Sequence, residues 1–272
     1  MWNLALVATA LSFAPAQPPA PAAGPLALTN LRTTFGEQGG PRDVKGLIPG
    51  DILFVCFDIE GIQIDETGKV QYQMFIELTD AAGKSYHKTE PTNNVNFIPL
   101  GGNKIPGRAY ITVGFDQAPG DYNLTVHMTD MTNKATKNVT QKFTVLPKDF
   151  GIVAVYMSID ERGAIPAPTT GMVGQSLFIQ FGLVNFARSA DKKMPNIAIE
   201  MVPLDDKGTP TLGKPNVFNL DGGVKEEDPV VTVRYLLPLT RAGKFTVRLK
   251  ATDKISGKSY TFNLPVTALA NN

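Results

Sequence analysis

The sequence predicts an all-β protein: two copies of one β-sandwich in tandem, behind a signal peptide and a Pro/Ala-rich spacer. Three observations predict it. Short apolar runs alternate with period two, and no amphipathic helical period is sustained. The 25 glycines and 21 prolines fall between those runs as punctuation. Finally, matched stretches recur at a nearly constant spacing of 123 to 124 residues.

In chain order, Leu4 to Phe13 (LALVATALSF) is an apolar run too short to span a bilayer and of the right length for a signal-peptide core. Ala14-Pro15-Ala16 offers small residues for cleavage, so residues 1–16 are expected to be the signal peptide. The run lacks the usual basic flank, since the first basic residue is Arg32; the alternative is a disordered apolar tail. Residues 17–25, rich in Pro and Ala and uncharged, form a semi-rigid spacer.

Each half then opens on a strand-like run, Leu26 to Phe35 and Phe150 to Ile159. Next, Gly50 to Phe57 (GDILFVCF) matches Gly174 to Phe181 (GQSLFIQF). Leu53, Val55, Phe57 and Ile59 share one phase, and Leu177, Ile179, Phe181 and Leu183 repeat it, so one face of each strand meets a core. Ile76-Glu77-Leu78 matches Ile199-Glu200-Met201. Ala109 to Phe115 and Val230 to Leu237 are β-rich. Gly120-Asp121-Tyr122-Asn123-Leu124-Thr125-Val126 matches Gly243-Lys244-Phe245-Thr246-Val247-Arg248-Leu249, and each closes on Thr-Asp, at Asp130 and Asp253. Turns near Lys134 and at Ser256-Gly257 lead to closing strands, Gln141 to Val145 and Tyr260 to Val266. The expected boundaries are 26–147 for the first sandwich, 148–268 for the second and 269–272 for a tail. A link as short as Leu146-Pro147-Lys148-Asp149 predicts a semi-rigid rod.

The halves resemble tandem bacterial immunoglobulin-like or fibronectin-III-like domains, and are similar to paired sandwiches of exported bacterial proteins. The resemblance rests on Gly-x-x-Leu-x-Val/Ile-x-Phe in the second strand and on Gly-x-Tyr/Phe-x-Leu/Val in the sixth. The latter resembles a tyrosine corner, with Tyr122 able to make its hydrogen bond and Phe245 unable. The core tryptophan and the inter-sheet cysteine pair of antibody domains are missing: the one Trp is Trp2 and the one Cys is Cys56.

The 26 Lys and Arg nearly cancel the 25 Asp and Glu, which gives no bulk field for nucleic acid or an anionic membrane. His87 and His127 show no zinc spacing; His127 is expected to be solvated and His87 to lie in a polar turn. No nucleophile elbow or phosphate loop is present, so no enzyme activity is expected. Cys56 belongs by phase to the outer face, as a free thiol. Acidic residues gather at Asp58, Glu60, Asp65 and Glu66, at Asp149, Asp160 and Glu161, and at Glu226 to Asp228. They lack a ligand-loop pattern for calcium and are expected to be solvated, so no cofactor or metal is assigned. Phe54, Phe75 and Phe178 fall in outward phase: they mark a contact surface, or a loop or the other domain covers them.

The expected function is that of a non-enzymatic structural, adhesive or scaffold protein, exported to the periplasm or the cell exterior, working through protein or envelope contacts. The alternative is a module binding a glycan or calcium through loops at one sandwich end. No nucleic acid partner and no membrane span are expected.

Overall fold

A computed structural model describes residues 24–271; the signal segment 1–16 and nearly all of the spacer 17–25 lie outside the described residues, as does Asn272. Among the described residues there is no helix, and the chain is carried by strands. No helix there is long and apolar enough to cross a membrane.

The first half holds β1 (Ala27–Thr34), β2 (Ile52–Glu60), β3 (Lys69–Asp80), β4 (Ser85–Lys88), β5 (Thr92–Phe97), β6 (Lys104–Thr112), β7 (Gly120–Asp130) and β8 (Thr136–Val145). One sheet runs β1-β2-β6; the other runs β4-β3-β7-β8, with β5 also on β3. The second half holds β9 (Gly151–Ser158), β10 (Pro166–Ala167), β11 (Thr170–Met172), β12 (Ser176–Val184), β13 (Ile197–Leu204), β14 (Asn216–Leu220), β15 (Val230–Pro238), β16 (Gly243–Asp253) and β17 (Ser259–Leu269). Its sheets run β10-β9-β12-β15 and β11-β17-β16-β13-β14. In the constant-type immunoglobulin plan a fourth strand joins the first, second and fifth. Here the strand that follows β3, like the one that follows β13, joins the other sheet. Among the described residues, both β6 and β15 are left as sheet edges.

The alternating phase is realised. Leu53, Val55, Phe57 and Ile59 are at most 1% exposed, and Leu177, Ile179, Phe181 and Leu183 at most 5%. Each set lies in a separate apolar core. Gly107 on β6 is required by that packing, because a methyl group there would stand 2.2 Å from the Phe57 ring. The closing Thr-Asp pairs also have a physical reason. Asp130 and Asp253 are both fully buried. Asp130 accepts the N–H groups of Thr132 and Gln63 at 2.8 and 2.9 Å. Asp253 accepts those of Ile255 and Ala187 at 3.0 and 2.8 Å. One carboxylate thus ties its own turn to a loop of the facing sheet in each half, which satisfies backbone donors that burial would otherwise strand.

The middle matched stretch needs correction. Tyr72 lies opposite Asp130 and Ile197 opposite Asp253, so β3 and β13 correspond at a spacing of 125, Ile76 with Met201 and Phe75 with Glu200. A slip of two residues keeps every side chain on its face, so the apolar pattern alone could not reveal it.

The halves meet over far more than the four-residue link. Phe35, just past β1, is 5% exposed and inserts among the second half's core residues, edge-on to Phe262 at 6.0 Å. The Arg42 guanidinium lies 5.5 Å from the Phe262 ring centre and pairs with Asp51 at 2.5 Å. Asp51 also accepts the N–H of Ala154 on β9 at 2.8 Å. Ile48 closes against Val153 and Val184, and the Gly40 N–H donates to Thr169 Oγ1 at 3.0 Å.

Candidate functional site

The three outward phenylalanines are half-buried and do not form one patch. Phe54 on β2 lies against Tyr110 of β6, ring centres 5.7 Å apart. Phe178 occupies the matching place on β12, opposite Leu236, which is 48% exposed. Phe75 stands on the other sheet of the first half. It stacks face to face on His127 at 4.3 Å and 6°, with the Lys88 ammonium 5.0 Å from its ring centre. The second half places an ion pair at the same register position, Glu200 with Lys250 at 3.4 Å.

Several expectations are overturned. His127 is not a freely solvated residue. Phe75 covers its ring, and among the described residues its Nε2 has no hydrogen-bond partner, lying 3.7 Å from the Glu77 carboxylate. His87 is not in a turn but on β4, where it is exposed. Cys56 is buried, 7% exposed, although its phase is outward. The loop after β1 folds across it, and the thiol lies 3.4 Å from Thr34 Oγ1 and 3.6 Å from the Glu37 carbonyl. Gln180 is covered in the same way, donating to Ser158 Oγ and the Glu161 carbonyl. Period two reports which side of a sheet a residue faces; it says nothing about what a later loop lays over that side.

The tyrosine corner is present. The Tyr122 hydroxyl donates to the Ala118 carbonyl at 2.9 Å. Phe245 cannot do so, and the Arg241 guanidinium, also four residues upstream, lies over its ring at 5.3 Å.

Three carboxylates of the first two acidic clusters are engaged within their own surroundings, while Glu66, Glu226 and Glu227 are exposed. Asp65 accepts the hydroxyl and N–H of Thr67 and the N–H of Lys69, bonds that hold its carboxyl below the usual range. Asp149 is held low chiefly by Lys258, 2.6 Å away. Asp160 is held low by the N–H groups of Ile165 and Ala164. Among the described residues, no three His, Cys, Asp or Glu side chains gather where a metal ion could be held.

The two halves diverge at a cleft that the sequence did not announce. Between the sheets of the first half lies an opening of about 1320 Å³. Its floor is Met74 and Ile76 of β3 and Ile111 of β6, each only partly buried. Tyr86 and His87 of β4, Asn94 of β5, and Arg108 and Tyr110 of β6 stand around it. The second half shows why it is open. There Ile199 and Met201, the counterparts of Met74 and Ile76, are 1% and 4% exposed. Phe218 lies opposite Ile199 and Leu220 opposite Ile197, and both pack on the core. In the first half those places belong to Thr92, opposite Met74, and Asn94, opposite Tyr72. Two apolar plugs have become two short polar side chains. Asn96 adds a further polar group by donating to the Tyr72 hydroxyl at 3.0 Å, while burial pushes the Tyr72 phenol above its ordinary pKa. Of the three outward phenylalanines, Phe75 lines this cleft. The signal was present in the sequence as Thr92 and Asn94 against Phe218 and Leu220, but reading it needs the strand register.

Fold and site together define an all-β sandwich-type protein with two cores and one core opened to solvent along a sheet edge. No protein-family model matches the chain, and no curated protein matches it. Among solved structures it is similar to the C-terminal domain of the Streptococcus pyogenes antigen I/II-family protein AspA, at 10% identity and a TM-score of 0.31, over 90% of this chain and 100% of that one. It is also similar to the C-terminal domain of the Streptococcus agalactiae AgI/II polypeptide BspA, at 9% identity and a TM-score of 0.30, over 89% of this chain and 100% of that one.

Proposed function

We propose that this is an exported, non-enzymatic protein of two sandwich domains that holds a protein or envelope component in the cleft of its first half. The carrying observation is the asymmetry between the halves: the second fills its sheet gap with Phe218 and Leu220, while the first leaves Met74 and Ile76 only partly covered. An open apolar floor costs stability that the second half retains, and such a feature marks an interaction site more often than a defect. The exposed Tyr86 and Tyr110 supply amphipathic aromatic contacts, the residue type that dominates binding surfaces. The docked halves hold the cleft at a set orientation to the rest of the chain.

Photo-crosslinking tests the reading. A benzophenone amino acid replaces Tyr110 in the cleft or Leu212 on the exposed β13–β14 loop, and intact producing cells are irradiated. A discrete adduct from position 110 and none from 212 is the expected result; equal labelling at both would sink it. The tyrosine and asparagine rim also favours a second reading, a glycan ligand, since such groups stack on and hydrogen-bond to sugars. Glycan-array binding that Tyr86→Ala abolishes would establish that reading instead.

A further inference from the structure

Resting on the cleft as the binding site, we infer that its occupant is an extended polypeptide segment, alternating apolar with uncharged polar residues, that pairs its main chain with the open edge of β6. The first support is the edge itself. Among the described residues, β6 is bonded on one side to β2 and has no strand on the other. Val113 exchanges N–H and C=O bonds with Asp51 and Gly50, so the odd-numbered residues face β2. The even-numbered Arg108, Tyr110 and Thr112 therefore turn their N–H and C=O groups toward the open side. Pro106 shares that parity. A proline is tolerated there because its missing N–H would have pointed outward, and it marks where pairing must stop.

The second support is what lies under that edge. An added strand would run about 4.8 Å from β6 and send alternate side chains into the gap between the sheets. In that gap Met74, Ile76 and Ile111 are only partly covered. The matching edge of β15 has the same free parity, since Leu239 bonds inward to Gln175 and Gly174. Its gap is filled by Phe218 and Leu220, so the second half offers an edge without a floor. The third support is charge. The charged side chains lining the cleft are Arg32, Arg108 and Glu37, with His87 beside them. Arg108 is paired with Glu37 at 3.3 Å, and Arg32 with Asp58 at 3.4 Å. With both guanidiniums already paired, the rim presents balanced charge, which suits a segment whose outward side chains are polar and uncharged.

The test selects phage-displayed random twelve-residue peptides against the full chain and measures the enriched peptides by fluorescence polarisation. Enriched sequences should alternate apolar residues with uncharged polar ones. Tyr110→Ala keeps the edge N–H and Tyr110→Pro removes it, so the proline variant should bind about tenfold more weakly than the alanine variant. Should Tyr110→Pro unfold, N-methylation along the peptide reads the same pairing: methyl groups at alternate positions should abolish binding, and those between should not. Failure to enrich any peptide, equal weakening by proline and alanine, or N-methylation without alternation overturns strand pairing. The double variant Thr92→Phe, Asn94→Leu separates the two levels. If it abolishes binding while the pairing tests fail, the cleft stands and the mode falls; if it leaves binding intact, the cleft itself is excluded.

Discussion

At the scale of single residues, the repeat keeps backbone-holding groups and varies what surrounds them. Asp130 and Asp253 are of the kept kind, whereas Tyr122, with Phe245 at its place in the second half, is of the varied kind. The Tyr122 hydroxyl is bonded to the Ala118 carbonyl inside a buried ring contact, so Tyr122→Phe removes one hydrogen bond and no volume. The expected loss is about 1 kcal/mol, read as a lower urea midpoint with an unchanged slope. The reciprocal change, Phe245→Tyr, supplies a hydroxyl where Arg241 already lies over the ring and should not gain as much. Asp253 makes a pH statement. Burial pushes its carboxyl up, but the Ser256 hydroxyl and the N–H groups of Ala187, Ile255 and Ser256 outweigh that and hold its pKa below the ordinary value. A lowered folded pKa contributes stability that is complete above the unfolded value of about 4 and is lost as pH falls through the folded one. Stability measured between pH 5 and 2 should therefore fall, and Asp253→Asn should start lower at neutral pH and fall less. An identical slope in both proteins would exclude the assignment.

At the scale of elements, β5 and β14 decide the difference between the halves. Each pairs on the facing strand, but β14 turns Phe218 and Leu220 inward and β5 turns Thr92 and Asn94. Replacing both in the first half, Thr92→Phe with Asn94→Leu, should cover Met74 and Ile76 and raise stability. Burying one large apolar side chain contributes about 1.5–3 kcal/mol, from which loss of the existing polar contacts subtracts, so a net gain of about 1 kcal/mol is expected. A lower melting temperature would show that the cleft is shaped by something other than missing apolar volume. Gly107→Ala tests the opposite limit, because the added methyl meets the Phe57 ring rather than a flexible chain end. A cost of about 1–3 kcal/mol is expected from overpacking. Most strands were legible in the sequence because period two is written in side chains such as Leu53, Val55 and Phe57. The cleft was not, since it depends on which residue of β5 faces which of β3. The covering of Cys56 was illegible for a related reason: Thr34 and the Glu37 carbonyl reach it only after the chain has turned.

At the scale of the whole molecule, the buried Arg42–Asp51 pair decides whether the halves act as one body. Asp51 has three duties. It pairs with Arg42, accepts the Ile52 N–H within the first half, and accepts the Ala154 N–H of the second. Gln175 stands at the matching place in the repeat, so this latch belongs to the first half. Asp51→Ala would leave Arg42, 9% exposed, without its counter-ion and orphan the Ala154 N–H. Removing one partner of a buried pair costs about 3–5 kcal/mol, much of it from the charge left behind. Arg42→Ala should cost a comparable amount, and the double variant less than the sum of the two. The expected coupling is at least about 1 kcal/mol in a double-mutant cycle. Uncoupling should also show in shape: one thermal transition should split into two, and small-angle scattering should report a larger radius of gyration. Strictly additive losses with a single unchanged transition would show that Phe35 and the Ile48, Val153 and Val184 contact hold the halves without the ion pair. That outcome would shift the latch from charge to apolar burial and leave the short link a minor partner in either case.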